Sequence, residues 1–430
     1  MPKAAFYSFG CRTNKEEIDT VASQFRANGF EIVYDEKDFI NADFIIVNTC
    51  SVTQTSQQKN FRFINRIKNK YPDAKIIAAG CLAQQSPEIL KSADFIVGNT
   101  KKDEIFNIVT KEKGKVFVED VNIQSELKVP KIIETDRTRF SVKIQEGCAS
   151  FCSYCIVPYL RGKPKSANFN EIITLTENAI NLGYKEIILT GTHIGQYRYD
   201  GKNFIDIAEK IISLNKNIRL RLSSMNPSDC DEKLFEFMIK NPQICRHLHI
   251  SVQSLSANVL TLMNRNPIYV ENLFENLQKY RKFMPELNLG GDFIVGFPNE
   301  SDDNFSETKE NVKMFGFNYG HVFVYSPRPN TPATEMKNQI DEKIKKQRSE
   351  ILRKLFVLQR ENFAKKQISK TEKIIVEADG ELSGITGNYL RVKDCKDTEL
   401  KKNQTVEVVL KKYNSTNNNF CAAIITKAEK

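Results

Sequence analysis

The chain has 430 residues, 40% hydrophobic and 27% charged, a globular balance with enough chain for two or three cores. No apolar run approaches the roughly 20 residues of a membrane span, and Met1 to Phe6 lack the apolar stretch and cleavage site of a signal peptide, so no membrane role and a cytoplasmic location are expected. A formal net charge of +10 favours a polyanionic partner such as RNA, and in a reducing compartment the 10 cysteines are not expected to form disulfides, the clustered ones reading as metal ligands or catalytic groups.

The first region alternates strands with helices. Residues 4–9 read as a strand ending at Gly10-Cys11, followed by a helix from Glu16 to about Asn28. Residues 42–47 read as a second strand ending at Asn48-Thr49-Cys50, and a basic helix covers about Gln57 to Lys70, carrying Lys59, Arg62, Arg66, Lys68 and Lys70. A third strand, 74–79, ends at Gly80-Cys81, and 93–97 reads as a fourth. This alternation predicts a doubly wound parallel sheet. Cys11, Cys50 and Cys81 each follow the carboxyl end of a strand, the edge where open α/β sheets bind ligands. Packing alone gives cysteines no reason to share that edge, although cysteine is also a common small core residue.

A polar stretch from about Val121 to Arg137 reads as a linker. Six strands with helices between them follow, at 140–144, 186–189, 218–222, 247–252, 289–295 and 321–325. They predict a partial (β/α)6 barrel with its chemistry at the carboxyl ends of the strands. A charged helix from about Asp341 to Gln367 carries an apolar stripe for packing on that barrel. The tail reads as short strands at 373–377, 389–392, 405–409 and 421–425, with a polar turn at Asn414 to Asn419, the pattern of a small β-barrel.

Cys148, Cys152 and Cys155 form Cys-x3-Cys-x2-Cys, with Tyr154 just before the last cysteine. Three thiolates so close can hold three irons of a [4Fe–4S] cluster. The fourth iron then accepts the amine and carboxylate of a small molecule. S-adenosylmethionine (SAM) has both, and an electron from the cluster can cleave its sulfonium bond to a carbon radical. A zinc site would want a fourth Cys or His, and His193, His247, His249 and His321 are distant in sequence.

With six cysteines placed, the chain resembles the radical SAM methylthiotransferase family over nearly its whole length. Gly10-Cys11-Arg12-Thr13-Asn14, Val47-Asn48-Thr49-Cys50 and Ala79-Gly80-Cys81 are similar to the family's auxiliary-cluster motifs. Leu189 to Gly195, Arg221 to Ser224, His247-Leu248-His249, Gln253-Ser254, Met263-Asn264-Arg265, Gly296-Phe297-Pro298 and Tyr325 to Pro329 match as well. Asn226, Asn299, Asn330 and the run Lys163-Pro164-Lys165 depart from the pattern without touching a cluster cysteine. The resemblance implies an N-terminal methylthiotransferase domain at 1–122, a radical SAM domain at 134–366 and a TRAM-like RNA-binding β-barrel at 368–430. It implies two [4Fe–4S] clusters, one on Cys11, Cys50 and Cys81 and one on Cys148, Cys152 and Cys155.

In such a reaction one SAM methylates a sulfur carried by the auxiliary cluster. A second SAM yields the 5′-deoxyadenosyl radical that abstracts an inert C–H hydrogen. The motifs are most similar to the branch acting on N6-threonylcarbamoyladenosine next to the tRNA anticodon. The branches acting on isopentenyladenosine in tRNA and on a ribosomal-protein aspartate are alternatives. Partners implied are tRNA, an electron donor such as flavodoxin or ferredoxin, and a sulfur source. Tyr154, Gly191, Ser224, Gln253 and Arg328 are candidate SAM contacts: backbone for adenine, close approach to the methionyl amine, hydrogen bonds and a carboxylate partner. Cys230, Cys245, Cys395 and Cys421 read as structural. The rival readings are a cobalamin-dependent radical methylase, which needs no cysteines at three strand ends, and an RNA-binding iron–sulfur sensor, which would not cleave SAM.

Overall fold

The computed structural model describes residues 1–111, 114–123, 126–130, 133–396 and 399–427. Six strands form the first sheet: β1 Lys3–Ser8, β2 Glu31–Val33, β3 Phe44–Thr49, β4 Lys75–Gly80, β5 Phe95–Val97 and β6 Val116–Phe117. Every pair is parallel and the order is β2-β1-β3-β4-β5-β6. Strands buried on both faces need apolar side chains on both. Ile45, Val47, Ile76 and Ala78 pack on one side with Phe63, Ile64 and Ile67 of the helix Gln54–Lys70. Ile46, Ile77 and Ala79 pack on the other with Ile18, Val21 and Phe25 of the helix Arg12–Ala27. Strand order reverses between β1 and β3, the switch point at which such sheets take ligands. Strands β2 and β6 are additions to the sequence reading. They are 3 and 2 residues long, too short to show periodicity.

The second unit contains β7 Arg139–Glu146, the short β8 Lys165–Ser166, β9 Glu186–Gly191, β10 Arg219–Leu222, β11 His247–Gln253, β12 Asn288–Val295 and β13 Tyr319–Val324. The sheets run β10-β9-β7-β8 and β11-β12-β13, joined by the parallel bridges Leu220 to Ile244 and Met225 to Ile250. The six long strands thus make the expected partial barrel, with β8 as an antiparallel edge. Core-facing residues such as Phe140, Val142, Ile187, Leu248, Ile250 and Phe293 pack outward under the helices.

The remaining strands, β14 Thr371–Ile375, β15 Glu381–Ile385, β16 Arg391–Lys396, β17 Thr405–Asn414 and β18 Asn419–Lys427, curl into a half-barrel of order β14-β17-β18-β16-β15. Strand β15 was not expected. The unit is tied to the amino ends of the barrel strands: Arg219 donates to Ile385 O at 2.9 Å, Asn288 donates to Asn388 O at 2.8 Å, and Tyr389 stacks on His247 at 4.3 Å between centroids. No helix among the described residues is long and apolar enough to cross a membrane. The expected linker lies partly outside the described residues, as does the side chain of Cys395.

Candidate metal centres

Cys11, Cys50 and Cys81 lie past β1, β3 and β4, three neighbouring strands. Cys11 caps the helix Arg12–Ala27 with extended backbone, and Cys81 opens the helix Cys81–Gln85. Gly10, at φ +93°, has no room for a side chain: a Cβ would lie 2.8 Å from Cys50 Sγ. Amides fix the surroundings. Asn60 accepts from the Cys50 amide at 3.1 Å, Asn14 donates to Thr49 O at 3.0 Å, and Asn99 Nδ2 lies 3.8 Å from Cys81 Sγ. Burial, then the neighbouring Cys81, pushes the Cys50 thiol up.

The second group sits on one loop after β7. Ser153 anchors it by donating to Leu262 O at 2.8 Å and to Met263 O at 3.0 Å. Burial and the like charges of Cys152 and Cys148 push the Cys155 thiol up to about 12, against a backbone hydrogen bond that pulls it down. Cations oppose this elsewhere. Arg265 approaches Cys152 Sγ at 3.6 Å. His193 Nδ1 lies 3.8 Å from Cys148 Sγ, and its Nε2 is 2.8 Å from Asp229. Burial lowers His193, but Asp229 and Cys148 outweigh it and raise it to about 9. For Cys148 burial pushes upward and the His193 contact prevails, leaving the thiol lowered. Each triad crowds groups that repel one another as thiolates. A polynuclear iron cluster supplies the charge that lets all three ionise, so both donor sets fit one.

The segments that carry the two triads pack against each other. Cys81 packs on Ile156 and Leu160, just beyond Cys155. Asn99 donates to Leu160 O at 2.6 Å, and Thr13 donates to Gly191 O at 3.2 Å. Arg161, 5% exposed, donates to Glu17 at 2.7 Å, Glu146 at 2.7 Å and Asn14 at 2.8 Å. Asn14 is in turn 3.5 Å from Cys11 Sγ. One buried guanidinium therefore links the segments that carry both triads.

Among the other residues singled out, Tyr154 lies edge-on to Phe297 at 6.5 Å, and burial holds its hydroxyl well above its usual range. At Gly191 a Cβ would meet Gln145 O at 2.7 Å. Ser224 is exposed just beyond β10. Gln253 ends β11 at φ +68°, a strained conformation for a side-chain-bearing residue. Arg328 donates to Ser51 O at 3.0 Å and approaches Gln57 at 3.4 Å, which sets its charge beside Cys50. Sequence reading missed Asp229, Asn99, Arg161 and Glu17, since none belongs to a local motif. Cys230 and Cys245 are buried, and Cys421 is half-buried. On the basic helix, Arg66 pairs with Glu36 at 2.7 Å and Lys68 with Asp94 at 2.9 Å.

The radical SAM superfamily model matches residues 142–312, and that of the uncharacterized protein family UPF0004 matches residues 3–98. The threonylcarbamoyladenosine tRNA methylthiotransferase MtaB of Aquifex aeolicus is 34% identical, covering 91% of this chain and 96% of that one. The protein of the same name from Bacillus subtilis is 35% identical over 91% of this chain and 90% of that one. The chain belongs to the radical SAM methylthiotransferases. A tRNA-2-methylthio-N(6)-dimethylallyladenosine synthase from Endomicrobium trichonymphae is also similar, at 32% over 89% of this chain and 87% of that one. In shape the methylthiotransferase resembles the radical SAM methyltransferase TsrM from Kitasatospora setae, solved with cobalamin and a [4Fe-4S] cluster, with TM-score 0.56 at 13% identity over 78% of this chain and 77% of that one. That likeness is one of fold alone. It would suit the cobalamin-dependent rival equally well, and the methylthiotransferase relatives decide between them. As a member of this family the methylthiotransferase uses SAM and [4Fe–4S] clusters.

Proposed function

We propose that this methylthiotransferase converts N6-threonylcarbamoyladenosine next to the tRNA anticodon to its 2-methylthio derivative. The observation that carries the reading is the packing of the segments that bear two cysteine triads against one another, in a chain 34% and 35% identical to proteins named for that nucleoside. Cys148, Cys152 and Cys155 hold the cluster of the radical SAM unit, at 134–366, and Cys11, Cys50 and Cys81 hold the auxiliary cluster of the first, at 1–122. When bound, the first supplies the electron that cleaves SAM and the second carries the sulfur.

The chain's own residues arrange the reactants. Tyr154, Gly191, Ser224 and Gln253 line the SAM side, and the strained backbone of Gln253 supports that role. Arg265 and His193 set positive charge against the thiolates of Cys152 and Cys148. Arg328 holds the Cys50 loop. Arg161 keeps the two sides in register, and the burial it shares with Glu17 excludes water between them. The half-barrel at 368–430, with Lys401, Lys411 and Lys412 exposed, binds RNA phosphates in the manner of a TRAM domain. An electron donor such as flavodoxin or ferredoxin and a sulfur source complete the system, in the cytoplasm.

Mass spectrometry of tRNA nucleosides from cells with and without the gene tests the reading. Loss of 2-methylthio-N6-threonylcarbamoyladenosine with accumulation of its unthiolated parent is expected. Loss of only the isopentenyl (dimethylallyl) counterpart would move the substrate to that branch. No change in any nucleoside would contradict a tRNA substrate.

A further inference from the structure

We propose that His249, Asp292 and His321 form a third, mononuclear metal site for a first-row divalent cation such as zinc, inside the barrel. Strand periodicity puts these residues on the inner face. Leu248, Ile250, Phe293 and Val322 point outward into the core, so their neighbours His249, Asp292 and His321 point inward. The strands β11, β12 and β13 are adjacent, and Asp292 stands directly opposite His321.

The geometry is that of a ligand set. Asp292 Oδ1 is 3.0 Å from His249 Nε2 and 3.2 Å from His321 Nδ1, and one ligand atom from each residue lies within 4.8 Å of the others. Ligands on a tetrahedral zinc with bonds of about 2.0–2.1 Å have similar spacing. The atoms turned away are also held. His249 Nδ1 lies 3.1 Å from Tyr319 Oη, which is 2.7 Å from His247 Nε2. Ser251 reaches the second oxygen of Asp292 at 3.3 Å. Outer hydrogen bonds of this kind orient imidazole and carboxylate ligands.

Two histidines and one carboxylate leave coordination positions open, as in sites that take a water or an exogenous ligand. The His321 side chain is 61% exposed, which gives an ion a way in. The open position suits an anionic group of the substrate. N6-threonylcarbamoyladenosine carries a carboxylate and the dimethylallyl nucleoside does not, so this role, though not the metal site, rests on the substrate proposed above.

The test is equilibrium dialysis of zinc ion against the full-length, cluster-loaded protein, with zinc K-edge absorption of the product. One zinc per chain beyond the iron is expected, with nitrogen and oxygen neighbours at about 2.0–2.1 Å and none of sulfur. His321→Ala and Asp292→Asn should each abolish saturable zinc binding while iron content stays unchanged. No saturable zinc, sulfur neighbours at about 2.3 Å, or variants that bind like wild type would overturn the proposal. The two readings fail separately. A chain that binds zinc here but changes no tRNA nucleoside loses only its substrate, and one that modifies tRNA without binding zinc loses only the metal site.

Discussion

The two cysteine triads are assembled by opposite routes. Cys148, Cys152 and Cys155 come from one loop, and their surroundings are charged: Arg265 at 3.6 Å and His193, backed by Asp229, at 3.8 Å. Cys11, Cys50 and Cys81 come from three strand ends, and their near hydrogen-bond partners include the neutral amides of Asn14, Asn60 and Asn99, with the charges of Arg328 and Arg161 standing behind Cys50 and Cys81. The difference matches the work assigned to each. A site that delivers an electron to a cationic sulfonium gains from fixed charges that tune its thiolates. One that carries a sulfur between methylation and transfer gains from a rigid frame with an open side, and Cys11 is the exposed member of its triad.

The largest effect expected is at the loop triad. Cys152→Ala should abolish SAM cleavage to 5′-deoxyadenosine under dithionite and lower iron from about eight to about four atoms per chain; retained cleavage would merge the two sites into one function. Next comes the arginine between them. Arg161→Met leaves Glu17 and Glu146 short of a buried partner, and a loss of about 3 kcal/mol is expected in urea denaturation, whereas an unchanged midpoint would mean the triads are held together by other contacts. Asp229→Asn should slow SAM cleavage about 10- to 100-fold by loosening His193 with full iron content, which sharpens the claim that charge matters at the loop triad. An equal loss of iron would make Asp229 a folding residue only.

A separate, pH-dependent effect concerns Glu16, on the helix behind Cys11. Burial raises its carboxyl to about 8, with Glu17 and Asp103 adding to the rise and Lys143 opposing it. The folded chain therefore keeps this proton where the unfolded chain has lost it. Stability should fall as pH rises from about 4.5 to about 8, with a slope of up to about 1.4 kcal/mol per pH unit. Glu16→Gln should flatten that slope, and chemical denaturation at pH 5.5 and 8 would show it; an unaltered slope would place the titrating group elsewhere.

Legibility in the sequence followed the same division. The loop triad was readable because its spacing is local. The strand-end triad was readable because each cysteine ends an apolar run, and parallel strands then bring those ends to one edge. Contacts between distant residues were not. Arg161 and Glu17 are 144 positions apart, and His193 and Asp229 are 36 apart, so no local pattern pairs them. Strand β15 escaped because Gly384 stands at a buried position where the alternation calls for an apolar side chain. Three of the helix cations read as an RNA surface are paired, Arg66 and Lys70 with Glu36 and Lys68 with Asp94, leaving Lys59 and Arg62 without an ion-pair partner among the described residues. Arg328 was read beside SAM from its motif, but its reach to the Cys50 loop depends on how two units dock.

The most direct test of two sites with separate tasks is the Cys50→Ala variant, assayed for iron, for SAM cleavage and for sulfur insertion into tRNA. Separate sites predict about half the iron, cleavage of SAM retained and no 2-methylthio product. Sulfur insertion that survives in this variant would contradict the assignment of Cys11, Cys50 and Cys81 to an auxiliary cluster.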